Sequence, residues 1–201
     1  PIPFDNRGIG PAAPLRAKKG FAYDGGIRVP LIVSWAKAGK NEAQTVLPIV
    51  AGGVESDLVT IWDLYPTLAR VAGAKFPEAI EGHDLGPYLK GDANHHRPQE
   101  FFLNFPHSHQ YEDFYALLKS DGWKAIYRYA TGAYELYDLK ADPSEQSNLA
   151  DKPEHHERLL RMARTMKERA GDSPASIPRD RLKSDHPQVS IRLPNGVGVG
   201  F

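Results

Sequence analysis

KGFAYDGGIRVPLIVSW, residues 19–35, is the stretch that says most about the fold. It places an ammonium at Lys19, a pair of glycines at positions 25 and 26, and a guanidinium at Arg28 ahead of an apolar run. Paired glycines let the backbone turn tightly or approach another group closely. A short apolar run after such a turn predicts a buried strand, here over residues 28–35. The stretch is therefore predicted to be a loop of defined conformation followed by a core strand. Loops held by a rigid scaffold often carry binding groups.

The second half of the chain contains short aromatic-rich runs at regular spacing. Two turn signals, Asp121-Gly122 and Thr131-Gly132, lie between runs and are typical of tight hairpins. The pattern predicts a four-stranded antiparallel sheet, with strands over residues 101–105, 114–119, 123–129 and 134–137.

Two helices are predicted from apolar residues at helical spacing. The first covers residues 60–71, where Pro66 either kinks the helix or lies in the first turn of its longer part, and Gly73 ends it. The second covers residues 153–170, with Pro153 in its first turn. Its apolar stripe is predicted to pack on the sheet and consists of Leu159, Leu160, Ala163 and Met166.

The composition limits the classes of partner. The 201 residues include 25 Lys and Arg and 25 Asp and Glu, so the formal net charge is zero. A nucleic-acid surface normally shows a basic excess, so no nucleic-acid partner is expected. No apolar run approaches the roughly 20 residues that span a bilayer, so no membrane span is expected. The absence of cysteine excludes disulfides and thiolate metal sites and leaves the compartment undecided.

The opening stretch resembles a signature of the formylglycine-dependent (type I) sulfatases. These enzymes carry Gly-Lys-Gly-x-x-Tyr-Glu-Gly-Gly-x-Arg-x-Pro before a strand, and the chain departs from it only with Lys18 for the first glycine and Asp24 for the glutamate. One such motif is a weak signal, but several in the family's order are a strong one. The further motifs are WDLYPTL at 62–68, GHDL at 82–85, SDGWK at 120–124 and ELYDL at 135–139.

The resemblance implies an α/β fold, namely the C-terminal part of an alkaline-phosphatase-like sulfatase. Residues 1–99 are then expected to belong to the sulfatase catalytic α/β domain. Residues 100–172 are expected to form a C-terminal subdomain in which the antiparallel sheet is packed by the C-terminal helix. Residues 173–201 are expected to be an extended tail.

The same resemblance assigns catalytic and substrate-binding roles. Lys19 aligns with the family lysine that binds the sulfate group, whereas the interpretation without a function is a solvated loop lysine. The formylglycine nucleophile, made from Cys or Ser in Cys/Ser-x-Pro-x-Arg, has no counterpart in the chain and is expected in an N-terminal part outside it. His107 in Phe-Pro-His is a substrate-side candidate and could equally be a surface histidine. Arg28 could pair with a carboxylate to shape the loop or reach substrate. The structural role is favoured, with Asp24 a candidate partner.

A calcium site is also implied. The family carries an Asp-Asn pair upstream of the glycine-rich loop, and Asp5 and Asn6 match it. Their oxygens are ligands that Ca²⁺ prefers, although the ion takes 6–8, so the others would lie outside the chain. The alternative for these two residues is an Asx turn.

Three functions fit the sequence. The leading one is a sulfatase that hydrolyses a sulfated small molecule or carbohydrate, periplasmic or extracellular by resemblance to the family. A phosphonate or phosphodiester hydrolase of the same superfamily is the second, because the lysine alone does not separate sulfate from phosphate esters. A noncatalytic sulfatase-like module is the third, and an upstream reading frame containing the nucleophile motif would favour either enzyme over it. We expect the isolated chain to lack turnover, and to aggregate if the apolar run at 31–35 is left uncovered.

Overall fold

The computed structural model describes residues 12–37, 39, 41–95, 98–105 and 114–171. The chain divides into two compact units, one formed by Pro1–Val29 with Glu100–Phe201 and the other by Pro30–Gln99. The first unit holds α1 (Asp24–Ile27), a four-stranded sheet and α5 (His156–Ala170). The second holds α2 (Glu42–Val46), α3 (Leu64–Val71) and α4 (Gly86–Leu89).

The sheet confirms the predicted hairpins. Its strands are β1 (Glu100–Phe105), β2 (Tyr115–Ser120), β3 (Trp123–Arg128) and β4 (Ala133–Asp138), and each pairs antiparallel with the next along the chain. Asp121 and Gly122 form a two-residue turn between β2 and β3 with φ of 53° and 81°. Positive φ at both positions matches the right-handed twist of the flanking strands, which is why Asp-Gly is favoured there.

Helix α5 covers one face of the sheet, as its apolar stripe predicted. A 3₁₀ turn, Pro153–His155, leads into the helix, and Gly171 ends it with φ 56°. All four residues of the predicted stripe are buried, together with Met162. From the helix, Leu159, Met162 and Met166 join a core with residues of β2, β3 and β4, so this face is a closed apolar layer.

The opposite face of the sheet is covered by residues 16–27. Ala17, Ala22 and Tyr23 form a second core with Tyr115, Leu117, Ile126 and Tyr137. The first unit therefore has three layers, with the sheet between a helix and a loop segment. The compact units group residues 12–29 with the sheet. The domain boundaries predicted at residues 99 and 172 stay a prediction.

The predicted strand over residues 28–35 is wrong. The segment has no regular secondary structure, and Val29 and Ile32 are 79% and 87% exposed. A strand needs a neighbouring strand for its backbone groups, and the described residues of Pro30–Gln99 contain only helices, turns and irregular segments. The apolar run is therefore left exposed.

The predicted helix at residues 60–71 is confirmed as a 3₁₀ turn, Ile61–Asp63, followed by α3. Pro66 lies in the first turn of α3, where the missing N–H costs nothing. Gly73 follows the helix with φ 64°. Asp63 is fully buried, and its carboxylate accepts hydrogen bonds from the backbone N–H groups of Thr60 and His83. Across the described ranges, no helix combines the length and apolarity that a bilayer crossing needs.

Candidate functional site

Lys19 lies on a tight turn. The Phe21 N–H donates to the Lys18 carbonyl oxygen at 3.2 Å, and Gly20 has a φ of 96°, a value that favours glycine. The Lys19 side chain is exposed, and no ion pair joins it to another residue that the structure describes. Its neighbours on the turn are better anchored, because Ala22 is fully buried and Tyr23 nearly so. The turn thus presents a charged amine from a fixed backbone.

The glycine pair allows the close approach that the sequence predicted. A Cβ on Gly26 would lie 2.7 Å from the Lys18 carbonyl oxygen and nearer still to that of Phe21. A Cβ on Gly25 would lie 2.6 Å from the Ala17 carbonyl oxygen. Real Cβ atoms do not approach carbonyl oxygens so closely. The backbone of α1 can therefore contact the turn directly only because both residues lack side chains.

Asp24, the first residue of α1, is at the centre of a buried ionic cluster. Its carboxylate contacts the ammonium groups of Lys119 and Lys124, each at 3.0 Å. The Lys124 Nζ also lies 2.8 Å from Glu145 Oε1, and the other oxygen of that carboxylate accepts the Asp24 N–H at 2.6 Å. We call these four residues the ionic cluster. Two acids and two bases balance its charge, as a buried site requires.

The pKa shifts in the ionic cluster follow from burial and partners. Burial opposes ionisation of Asp24, but Lys124 and Lys119 outweigh it and lower the pKa of this carboxyl. For Glu145 burial dominates and raises the pKa, although Lys124 favours the charged form. Burial likewise lowers the pKa of Lys119 against the attraction of Asp24. Burial therefore sets the direction for Glu145 and Lys119, and the two lysines set it for Asp24.

A second set of charges holds Tyr23, next to the ionic cluster. Glu135 Oε2 accepts hydrogen bonds from the hydroxyls of Tyr23 at 2.8 Å and Tyr137 at 2.6 Å, while Arg128 Nε contacts its other oxygen at 2.7 Å. Arg16 lies over the Tyr23 ring, 3.7 Å from its centroid. Burial, with Glu135 nearby, raises the pKa of Tyr23 to about 12. Residues 16–24 are therefore fixed to the sheet by polar contacts as well as by packing.

The other predicted site residues are Asp5, Asn6, His107 and Arg28. Asp5, Asn6 and His107 lie outside the described residues. Within the described ranges, no group of three or more His, Asp or Glu side chains is arranged to hold a metal ion. The expected pairing of Arg28 with Asp24 through side chains is wrong, because the Asp24 carboxylate is taken by two lysines and Arg28 is exposed. An exposed guanidinium needs no protein partner.

The ionic cluster itself was missed from the sequence. The segment KSDGWK, residues 119–124, contained the signal, because a two-residue turn at Asp121-Gly122 makes Lys119 and Lys124 cross-strand partners. Like charges directly opposite each other on one face are destabilising. Two such lysines in a sheet therefore indicate an anion between them, which here is Asp24.

Comparison with known proteins agrees with the motif order. Residues 17–172 match the protein family described as N-sulphoglucosamine sulphohydrolase, C-terminal. A sulfatase of Formosa agariphila is 33% identical over 160 residues, covering 72% of this chain and 27% of that protein. Steryl-sulfatase of Mus musculus is 29% identical over 211 residues, covering 89% of this chain and 30% of that protein.

Solved structures give the same result. The crystal structure of Ps i-CgsB aligns with a TM-score of 0.58 at 28% identity, covering 80% of this chain and 32% of that one. The same protein has been solved in complex with k-i-k-neocarrahexaose, with a TM-score of 0.57 to this chain. The chain thus spans about a third or less of the length of these relatives.

Proposed function

The chain belongs to the sulfatase family as a C-terminal portion of it, and on this premise we propose that the natural protein carrying it hydrolyses sulfate esters. The observation that carries the proposal is the position of Lys19 on its turn. The family match begins at residue 17, two residues before an exposed ammonium on a turn against which the backbone of Gly26 lies closely. A sulfatase needs such a cation at a fixed position.

The role proposed for Lys19 is to bind the sulfate group. Negative charge builds on the sulfuryl oxygens and on the leaving oxygen as the ester bond breaks. An ammonium placed there in advance stabilises the transition state more than the ground state. Its exposure in the described residues is compatible with this role, because the substrate must reach it.

Other parts of the site are proposed on the resemblance alone. The formylglycine, when present, supplies the nucleophile and would come from a part of the protein outside this chain. Asp5 and Asn6 would provide two oxygen ligands to Ca²⁺, with the remaining ligands from the same outside part. His107 would donate to the sulfate from the substrate side. The substrate class is a sulfated small molecule or carbohydrate.

A structural partner is proposed as well. On α3 and the turn before it, Ile61, Tyr65 and Leu68 are exposed while Asp63 and Thr67 are buried. Apolar residues outside and polar residues inside are the reverse of a surface helix. We propose that this face packs against the part of the sulfatase fold that the chain does not span.

The proposal is tested on the natural full-length protein with 4-nitrophenyl sulfate and with a phenyl phosphonate ester. We expect turnover of the sulfate ester and a fall in kcat/KM of about 100-fold or more in Lys19→Ala, the usual scale for removing one charge-stabilising donor. Lys152→Ala, another exposed lysine of the same unit, is the matched control and should be unchanged. Preference for the phosphonate would favour the related hydrolase. A folded protein with no turnover of either ester would favour a noncatalytic module.

A further inference from the structure

We propose that Lys124 is a positioning residue for Lys19. It acts through Asp24 and the glycine pair, and it fixes where the turn presents its amine. The inference rests on the role proposed above for Lys19. It adds that a fully buried lysine on β3, which touches no substrate, sets the geometry of sulfate binding.

Lys124 fixes α1 through ion pairs. Lys124 is 0% exposed, and its ammonium bridges the carboxylates of Asp24 at 3.0 Å and Glu145 at 2.8 Å. Glu145 also accepts the Asp24 N–H. The side chain of Asp24 is thereby fixed to Lys124 on β3, and its backbone to Glu145, which the same ammonium contacts. Lys119 on β2 contacts the same carboxylate from the neighbouring strand.

The second step runs from α1 to the turn. The Arg28 N–H donates to the Asp24 carbonyl oxygen at 2.8 Å, which closes the single turn of α1. Within it, Gly26 lies against the carbonyl oxygens of Lys18 and Phe21, the residues on either side of Lys19 and Gly20. No side chain lies between the two backbones to absorb a shift. A displacement of Asp24 therefore moves the backbone that carries Lys19.

Energetics favours positioning over stability as the reason for this arrangement. Replacing a buried ion pair with apolar residues of similar volume is often neutral or even stabilising. Tyr115, Leu117, Ile126 and Tyr137 already supply an apolar core on the same face. The core does not need four charges beside it, of which those of Asp24, Lys124 and Glu145 are buried and that of Lys119 is half-buried. What they add is direction, because hydrogen-bonded ions hold one geometry where packed methyl groups tolerate several.

The test uses the natural full-length protein with Lys124→Met combined with Glu145→Gln. This pair removes one charge of each sign, keeps an acceptor for the Asp24 N–H, and leaves the Asp24–Lys119 contact. We expect kcat/KM for 4-nitrophenyl sulfate to fall about 10- to 100-fold, the scale of a misplacement of about 1 Å. Inhibition by inorganic sulfate should weaken in parallel. In a Lys19→Ala background the pair should cost less than twofold, because the group it positions is gone.

Met162→Ala is the matched control, since it weakens the same unit from the opposite face of the sheet. Its kcat/KM per folded molecule should be unchanged. The proposal is contradicted if Met162→Ala lowers kcat/KM as much as the double variant does. It is also contradicted if the double variant lowers kcat/KM by the same factor in the Lys19→Ala background as in the unaltered protein. Either result would show that the ionic cluster only stabilises the fold. If Lys19→Ala alone has no effect, the proposed function fails rather than the positioning.

An exchange measurement keeps the inference testable if the double variant does not fold. In the unaltered protein, the amide hydrogens of Gly25 and Gly26 should exchange with deuterium as slowly as those of β3. Asp24→Asn should speed their exchange at least tenfold and leave α5 unchanged. Fast exchange in the unaltered protein, comparable to residues 31–35, would overturn the proposal.

Discussion

Lys119 and Lys124 lie directly opposite each other across the β2–β3 hairpin, and one carboxylate, that of Asp24, contacts both. Two cations on adjacent positions of one sheet face repel unless an anion neutralises them. The residue that does so is 95 and 100 positions away along the chain. This long-range contact, together with the apolar packing of Ala17, Ala22 and Tyr23, attaches the glycine-rich segment to the sheet.

The ionic cluster predicts a non-additive effect on stability. Lys124→Met alone leaves two buried carboxylates with Lys119 as their one cation, so the free energy of unfolding should fall by about 3–5 kcal/mol. Adding Glu145→Gln should recover more than half of that loss, because the charge is balanced again. Urea unfolding followed by tryptophan fluorescence measures both. Equal losses in the single and the double variant would contradict the account.

The glycine contact predicts a local penalty at residue 26. Gly26→Ala should destabilise the protein or displace the turn, since its Cβ would enter the space of two backbone carbonyl oxygens. Gly53→Ala is the matched control, because the nearest atom to its Cβ would be 3.3 Å away and the residue is exposed. Thermal unfolding should show a much larger fall in Tm for Gly26→Ala than for Gly53→Ala. A sulfatase assay should show a loss in the same variant.

Two carboxyl groups should give pH dependences of opposite sign. The pKa of Glu135 lies below its ordinary value of 4.5, because Arg128 and the hydrogen bonds from Tyr137 and Tyr23 outweigh burial. Its contribution to stability is therefore present above that value and is lost as the pH falls through the lowered pKa. The pKa of Glu145 is raised by burial, so its contribution is present below 4.5 and is lost as the pH rises through the raised pKa.

The two groups are separated by unfolding at a series of pH values. Glu135→Gln should make the free energy of unfolding fall less steeply on acidification, because it removes a group whose unfolded state binds more protons. Glu145→Gln should make the fall steeper, because it removes a group of the opposite sign. Parallel curves for the two variants would contradict the assignment of these shifts.

Much of the first unit could be predicted from the sequence because its signals are local. Asp-Gly at 121–122 specified a hairpin, and the stripe at Leu159 to Met166 specified a helix face, since each depends only on neighbours along the chain. Residues 28–35 failed for the opposite reason. A buried strand and an exposed apolar segment have the same composition, and only the presence of a pairing partner separates them. The Asp24 contacts were hidden in the same way, because they join residues far apart in sequence.

The inverted face of α3 predicts how the isolated chain behaves. Ile61 and Leu68 are 75% and 59% exposed. Thr67 is buried, and its hydroxyl donates to the Asp63 carbonyl oxygen at 2.6 Å. Exposed apolar patches of this kind associate in water. The isolated 201-residue chain should therefore self-associate in light scattering.

Ile61→Gln combined with Leu68→Gln should shift the isolated chain toward monomer, and Lys75→Gln, an exposed polar control, should not. In the full-length protein, where we propose that the rest of the fold covers this face, the same two substitutions should instead lower the Tm. A monodisperse monomer from the unaltered isolated chain would show that this face needs no cover.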